Sequence, residues 1–299
     1  MSGVQLVSFA DASGAVKTGL MQGGRIYASL TYASMRDVLD DWDNASAKLA
    51  GVGDKLSSRK PVSGAKLVAP LPNPRNIYFA GANYTDHVEE MQKKLGLTPE
   101  ANWKESGQKP WHSLQATTGV VGPNAVVARP QNSPMLDWEI ELAVIIGKRC
   151  RDVPVDRAYD YVAGYTIAND LSARDHVKRK AVPMDSPFHY DWIAQKSFDG
   201  GCPMGPAMTP HADIGDPSNL DLKLWVNDEL MQDSNTSKLI FNVADQVSYL
   251  STRITLMPGD VIITGTPSGV GMARGKFLQP GDKVRQMIEN IGEFEITIE

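Results

Sequence analysis

The clearest pattern in the chain is an alternation across residues 135–150, MLDWEIELAVIIGKRC. Leu136, Trp138, Ile140, Leu142, Val144 and Ile146 fall on one parity, and Asp137, Glu139 and Glu141 on the other. A period of two predicts a β-strand whose successive side chains point to opposite faces. Glu139 and Glu141 then stand on one face, roughly 7 Å apart between Cβ atoms. That face continues into Ala143 and Ile145 and so turns apolar. A half-exposed strand with a solvated acidic face is the commoner origin of such alternation. Like charges at the edge of a buried face instead want a cation, and oxygen ligands without cysteine suit Mg²⁺, Mn²⁺ or Ca²⁺ rather than zinc.

Other segments are simpler to read. Val4-Leu6-Ser8 and Ile26–Ala28, set among Gly14, Gly19, Gly23 and Gly24, predict short strands joined by turns. Ser34 is placed to cap a helix running through Val38, Leu39 and Trp42, with Asp37 in its first turn. Residues 51–63, GVGDKLSSRKPVS, read as a polar linker, and the proline-rich residues 70–74 mark a boundary. The expected domains are therefore a small α+β unit at 1–69 and a larger one at 70–299. Helical periodicity is clearest at 86–95 and 241–252, where Val243, Val247 and Leu250 share a face. Residues 161–170, YVAGYTIAND, predict a buried strand. Pro-Gly-Asp occurs at 258–260 and at 280–282, each time before an apolar run, and the C-terminus reads as a hairpin about residues 290–292. Strands and helices do not alternate regularly, which argues against a doubly wound parallel sheet; the expectation is a strand-dominated α+β fold.

Composition narrows the function. The 299 residues include 30 Lys plus Arg and 35 Asp plus Glu, for a formal net charge of −5. No basic stripe offers a footprint for nucleic acid. No apolar run approaches the ~20 residues of a membrane span. The start MSGVQLVSFADASG lacks the basic and apolar regions of a secretory signal, so a cytoplasmic location is expected. Cys150 and Cys202 form no CxxC pair and point to neither a disulfide framework nor a zinc site.

The remaining candidates are individually weak. Asp170 ends its strand as a turn or cap residue would. His87 and Glu90 are three apart on a helix and share a side, as a fortuitous surface pair would. Together they gain weight through four motifs in order: Asp-x-Glu-x-Glu-Leu-Ala from Asp137, Gly-Tyr-x-x-x-Asn-Asp-x-Ser-Ala-Arg-Asp from Gly164, Gln-Lys-Ser-Phe-Asp from Gln195, and Gly-Thr-Pro-Ser-Gly-Val-Gly from Gly265. Over residues 70–299 the chain closely resembles the fumarylacetoacetate hydrolase family, and residues 1–69 resemble that family's variable small domain.

The resemblance implies a mixed β-roll or sandwich fold, a homodimer, and one divalent cation, Mg²⁺ or Mn²⁺, on Glu139, Glu141 and Asp170. It implies that the substrate is an acylpyruvate, a 2,4-diketo acid such as fumarylpyruvate or maleylpyruvate, cleaved at a C–C bond in aromatic or sugar-acid catabolism. His87, oriented by Glu90 on a lid helix, would take a proton from water; Lys196, in a strand-like run, would stabilise the enolate; Arg174, Gln195 and Thr266 would bind substrate. A plain salt bridge to Asp175 is the other reading of Arg174. Two positions depart from the family: Val177 stands where many relatives carry Gln, and Gln115 where Lys is common. The stretch 91–116, with Trp103, Trp111 and His112, and the stretch 183–192, with Phe188, His189 and Tyr190, either line a pocket or pack the lid or a dimer contact. Oxaloacetate decarboxylation and isomerisation of 2-hydroxy-diene-dioates need the same metal–enolate site. A non-catalytic binding protein is the alternative of a different class.

Overall fold

The computed structural model describes residues 3–299 except residues 30, 50, 57, 95 and 99–102. An N-terminal meander of β1 (Gln5–Ala10), β2 (Val16–Gln22) and β3 (Arg25–Ala28) leads to helices α1 (Met35–Asp40), α2 (Trp42–Leu49) and α3 (Gly53–Leu56). Next come β4 (Lys66–Leu67), β5 (Ile77–Ala80), helix α4 (Thr85–Lys94), β6 (His112–Gln115), and the two-residue strands β7 (Val120–Val121), β8 (Val126–Val127) and β9 (Leu136–Asp137). The central strands β10 (Ile140–Ile146) and β11 (Val162–Asn169) are followed by β12 (Ser172–Ala173), helix α5 (Trp192–Lys196), β13 (Cys202–Pro210) and helix α6 (His211–Ile214). The C-terminal part holds β14 (Asp221–Val226), β15 (Glu229–Asn235), helix α7 (Val243–Arg253), β16 (Val261–Ile263), helix α8 (Gly271–Arg274), β17 (Lys283–Ile288) and β18 (Gly292–Ile298).

These strands form a strand-rich α+β fold with mixed sheets. An 11-stranded sheet follows the order β3-β2-β1-β13-β11-β10-β16-β5-β6, with β4 on β1 and β7 on β13. A five-stranded sheet, β15-β14-β17-β18-β8, lies beside it, and β9 pairs with β12. Pairing is antiparallel except at β16·β5, β13·β7 and β18·β8. The N-terminal meander joins the large sheet through β1 and β13, so the sheet runs across the boundary at residues 70–74.

Strand β10 explains the layering. Its even positions, Leu142, Val144 and Ile146, join Leu136, Trp138 and Ile140 in a core shared with the five-stranded sheet and α7. Ala143 and Ile145 enter a second core, with Met35, Val38, Leu39 and Trp42 of the N-terminal helices. The strand is buried on both faces, so Glu139 and Glu141 are not on a solvated face. The half-exposed strand is excluded.

Several local expectations hold. Ser34 caps α1 in a capping box with Asp37, although the helix stops at Asp40 and a new one begins at Trp42. Helix α7 buries Val243, Val247 and Leu250. The glycines of both Pro-Gly-Asp turns take positive φ, +83° at Gly259 and +93° at Gly281, as such turns require. Three expectations need correction. The 135–150 segment is not one strand but two, β9 and β10, parted at Trp138 and Glu139. The 51–63 segment is not simply a linker: it contains α3, which places Leu56 in the second core. Lys196 lies on a helix rather than a strand, because Asp191 accepts the Ala194 amide and caps α5. Among the described residues no helix is long and apolar enough to cross a membrane.

Candidate metal centre and its pocket

The site forms where β10, β11 and α5 converge under α4. Asn169 ties the first two together: its Oδ1 accepts the Glu139 amide, and the Asp170 amide donates to the Glu139 carbonyl. Glu139, Glu141 and Asp170 thereby meet, with one oxygen from each within 4.8 Å of the others, all buried. Glu141 also accepts the Gly265 amide at 2.6 Å.

Two cations face the triad. Lys196 Nζ donates to Glu139 Oε2 at 2.6 Å and also to Asp170 Oδ2. Arg174 donates through Nε to Asp137 at 2.8 Å and through Nη2 to Glu139. It does not pair with Asp175, which accepts from Ser133. The electrostatics follow. Burial disfavours the charged form of Glu139, but Arg174 and Lys196 outweigh it and hold the group at about 2. Burial, reinforced by Asp170 and Glu139, pushes Glu141 well up, and burial raises Asp170 to about 7 against the pull of Lys196. Burial lowers the Lys196 ammonium, but Asp170 and Glu139 reverse this and raise it.

The donor set fits a hard divalent cation. All three candidate ligands are carboxylates. Asp137, Glu139, Glu141 and Asp170 carry four formal negative charges against the two positive charges of Arg174 and Lys196. With every carboxylate ionised the remainder is minus two, which one divalent ion would match in place of the protons that burial draws onto Glu141 and Asp170.

A pocket of about 170 Å³ opens onto this cluster, lined by Phe79, Gly81, His87, Trp111, Glu139, Glu141, Arg174, Trp192, Gln195, Lys196 and Thr266 among others. Two buried polar atoms on its wall, His87 Nδ1 and Gln195 Oε1, have no hydrogen-bond partner. Burial pushes the His87 imidazole below its ordinary value, so it is neutral at neutral pH. His87 Nδ1 stands 3.9 Å from Glu90 Oε2, beyond hydrogen-bond range. Both Glu90 oxygens instead accept the Gly269 amide, at 3.0 and 3.2 Å. Thr266 lines the pocket, but its hydroxyl donates to the Ile140 carbonyl at 2.9 Å and accepts from Gln232.

The aromatic residues divide. Trp111, Trp192 and Phe79 form the pocket wall, with ring centroids 5.1–6.4 Å apart. Trp111 lies so close over Gly81 that a Cβ there would meet its ring at 2.6 Å. Trp103 packs on Val88, Ile240 and Phe241 instead. Phe188 and Tyr190 are exposed, His112 is bonded to Gln246, and His189 contacts the Val182 carbonyl. Residues 95 and 99–102 of the expected lid region lie outside the described residues. Gln115 is fully part of the site: its Nε2 donates to Asp170 Oδ1 at 3.2 Å and to the Lys196 carbonyl at 2.7 Å. Val177 is not among the lining residues.

Asp137 has a role here that the sequence pattern did not assign. It buttresses Arg174 and accepts the Gly271 and Met272 amides. Its place in the alternation beside Glu139 and at the head of the Asp-x-Glu-x-Glu-Leu-Ala motif marks it in the sequence without giving its role. Gln232, which fixes the Ile140 amide and Thr266, left none, because it comes from a distant strand.

The fold and the site define a mixed-sheet α+β protein with a buried carboxylate triad, two flanking cations and a neutral histidine in one pocket. The comparisons make it particular. Residues 76–299 match the fumarylacetoacetate (FAA) hydrolase C-terminal family. The oxaloacetate tautomerase Fahd2a, mitochondrial, of Rattus norvegicus is 37% identical over 78% of this chain and 69% of its own. The oxaloacetate tautomerase fahd2, mitochondrial, of Xenopus laevis is 34% identical over 97% of this chain and 87% of its own. Among solved structures, a fumarylacetoacetate hydrolase from psychrophilic Exiguobacterium antarcticum matches with TM-score 0.81 at 30% identity over 99% of both chains. Maleylpyruvate hydrolase from Sphingobium sp. SYK-6, in complex with manganese(II) ion and pyruvate, matches with TM-score 0.75 at 28% identity over 98% of both chains. The chain belongs to the fumarylacetoacetate hydrolase family and is an enzyme of that family.

Proposed function

We propose that the protein is a divalent-metal enzyme of short 2-keto acids that interconverts the keto and enol forms of oxaloacetate. The observation that carries this reading is the convergence of a carboxylate triad, two cations and an unpartnered neutral histidine on one pocket of about 170 Å³. The relatives named oxaloacetate tautomerases, at 34–37% identity, support the substrate.

Glu139, Glu141 and Asp170 would hold Mg²⁺ or Mn²⁺, which supplies Lewis acidity toward negative charge on the 2-keto oxygen. His87 takes a proton from C3, because burial keeps its imidazole neutral. The charge that develops on the 2-oxygen faces the Lys196 ammonium. Arg174 is held in place by Asp137 and Glu139 and offers its remaining N–H groups to a substrate carboxylate. Gln195 presents an unpartnered amide oxygen to the same space. A proton returned to the 2-oxygen completes the enol, and one returned to C3 restores the keto form. No atom is gained or lost.

One observation favours a second reading, hydrolysis of an acylpyruvate. Glu90 shares its helix side with His87 at 3.9 Å, a pairing that could tighten around a bound water. Water would then add to the distal carbonyl, and the C–C bond would break to a carboxylic acid and pyruvate. The maleylpyruvate hydrolase match supports it. A homodimer belongs to the same proposal: Leu114 on edge strand β6, Ile193 and Ile254 stand exposed around a neighbouring groove.

The test gives the Mn²⁺-loaded protein enol oxaloacetate and, separately, fumarylpyruvate. Accelerated loss of enol absorbance without CO₂ release is the expected result. Cleavage of fumarylpyruvate alone would install the second reading, and CO₂ release from oxaloacetate would make the enzyme a decarboxylase. No effect on either compound would overturn both.

A further inference from the structure

Helix α4 brings His87 to the pocket, yet it packs few apolar groups beneath it: Val88 is its only buried residue among those described. Three polar side chains one turn apart do the holding. Asp86, Glu90 and Lys94 lie at i, i+4 and i+8 and so share one face of the helix. Each engages the loop at residues 265–272. Asp86 Oδ1 accepts the Ser268 amide at 3.2 Å, both Glu90 oxygens accept the Gly269 amide, and Lys94 Nζ donates to the Met272 carbonyl. Asp86 is itself braced by Ser234 at 2.7 Å and Lys238 at 3.1 Å.

The loop in turn is bound to the metal centre. Its Gly265 amide donates to Glu141, and its Gly271 and Met272 amides donate to Asp137, the partner of Arg174. Gly269 has no freedom to carry a side chain. Its φ is +98°, and a Cβ would meet the Met231 carbonyl oxygen at 2.1 Å. The loop is therefore a fixed rail with carboxylates gripping its amides from both sides.

We propose that Asp86 and Glu90 are positioning residues that seat α4 on this rail, and that Glu90 serves His87 through the Gly269 amide rather than as its hydrogen-bond partner. The geometry separates the two roles, since Glu90 has two contacts to Gly269 within 3.2 Å and stands 3.9 Å from His87. The inference rests on the reading that His87 meets substrate.

The test compares Asp86→Ala, Glu90→Ala and Glu90→Gln in the full chain. It reads amide hydrogen exchange over 265–272 and α4, with kcat, KM and the pH profile on oxaloacetate. Losing a hydrogen bond to a charged acceptor should raise exchange at Ser268 and Gly269 about tenfold or more in both alanine variants. Both should also lower kcat/KM, and Asp86→Ala, which removes a charge that favours the protonated His87, should move the acid limb of the pH profile to lower pH. A glutamine side chain keeps an acceptor for the Gly269 amide, so Glu90→Gln should recover most of what Glu90→Ala loses in both readouts. The proposal is overturned if Glu90→Gln is as impaired as Glu90→Ala while protection of Gly269 stays intact, or if Asp86→Ala leaves exchange unchanged. If the unaltered protein turns over no 2-keto acid, the functional reading fails, but the exchange data still judge the seating of α4.

Discussion

Lys196 is the residue on which the charge balance of the site turns. It occupies the gap between Glu139 and Asp170 that a ligated cation would share. Replacing it with methionine removes the stabiliser of the developing oxyanion, so the rate should fall by about 10²–10³. It also removes a competitor for the two carboxylates, so Mn²⁺ affinity measured by calorimetry should hold or rise. A parallel loss of metal affinity would show that Lys196 builds the metal site rather than serving the substrate. Asp137→Asn should act differently, weakening the hold on both Arg174 and the 265–272 loop. An expected loss of about 10–100-fold in kcat/KM is typical of an outer-sphere partner. Glu139 and Glu141 were legible in the sequence because a period-two pattern forces them onto one face. Asp170, His87 and Lys196 were not legible from spacing, since their convergence depends on how β11, α4 and α5 pack. Only the resemblance in motif order selected them.

At the scale of elements, β10 is both the best-predicted strand and the one that bears the site. Its alternation specifies two cores at once, and a one-residue slip in register would put Ile140 and Leu142 where Glu139 and Glu141 stand. Leu142→Ala should cost about 2–5 kcal/mol in denaturant unfolding while leaving the metal stoichiometry unchanged. A loss near zero would mean that the core around β10 can collapse into the vacated space. Helix α5 is not legible in the sequence because five residues, WIAQK, are too few to display a helical period. The cap at Asp191 decides the matter, and caps on so short a segment are easily mistaken for turns. Helix α3 is hidden for a related reason: its four residues, GDKL, hold one apolar side chain, Leu56, which anchors it.

For the whole molecule, strand content follows from the many short apolar runs and mixed pairing only from the family resemblance, and the joining of β1 to β13, with Leu6 opposite Met208, left no mark in the local pattern. Acid stability is set in part by buried imidazoles. His112 donates to Gln246 Oε1, because the Gln246 amide nitrogen is committed to the Phe241 carbonyl. Burial pushes His112 from its ordinary 6.5 to about 4. The unfolded chain therefore binds a proton that the folded chain refuses, and stability is complete above about 6.5 and declines as pH falls toward 4. The melting temperature should drop between pH 7 and pH 5, and His112→Gln should flatten that drop; equal slopes would remove His112 from the account. Light scattering should return twice the mass of 32.6 kDa if the exposed rim of the β6 groove pairs two chains, and the monomer mass would refute the pairing.

The central claim is that one divalent ion on Glu139, Glu141 and Asp170 makes this pocket an enzyme for the enol of a 2-keto acid. The most direct measurement is a Mn²⁺ titration of chelator-treated protein, following bound metal and the enol-to-keto rate on oxaloacetate together. The expected result is an inactive apoprotein whose activity rises in step with one bound ion per chain, with both signals lost in Glu141→Gln. Full activity after chelation, or one tightly bound ion with no acceleration of the enol, would contradict it.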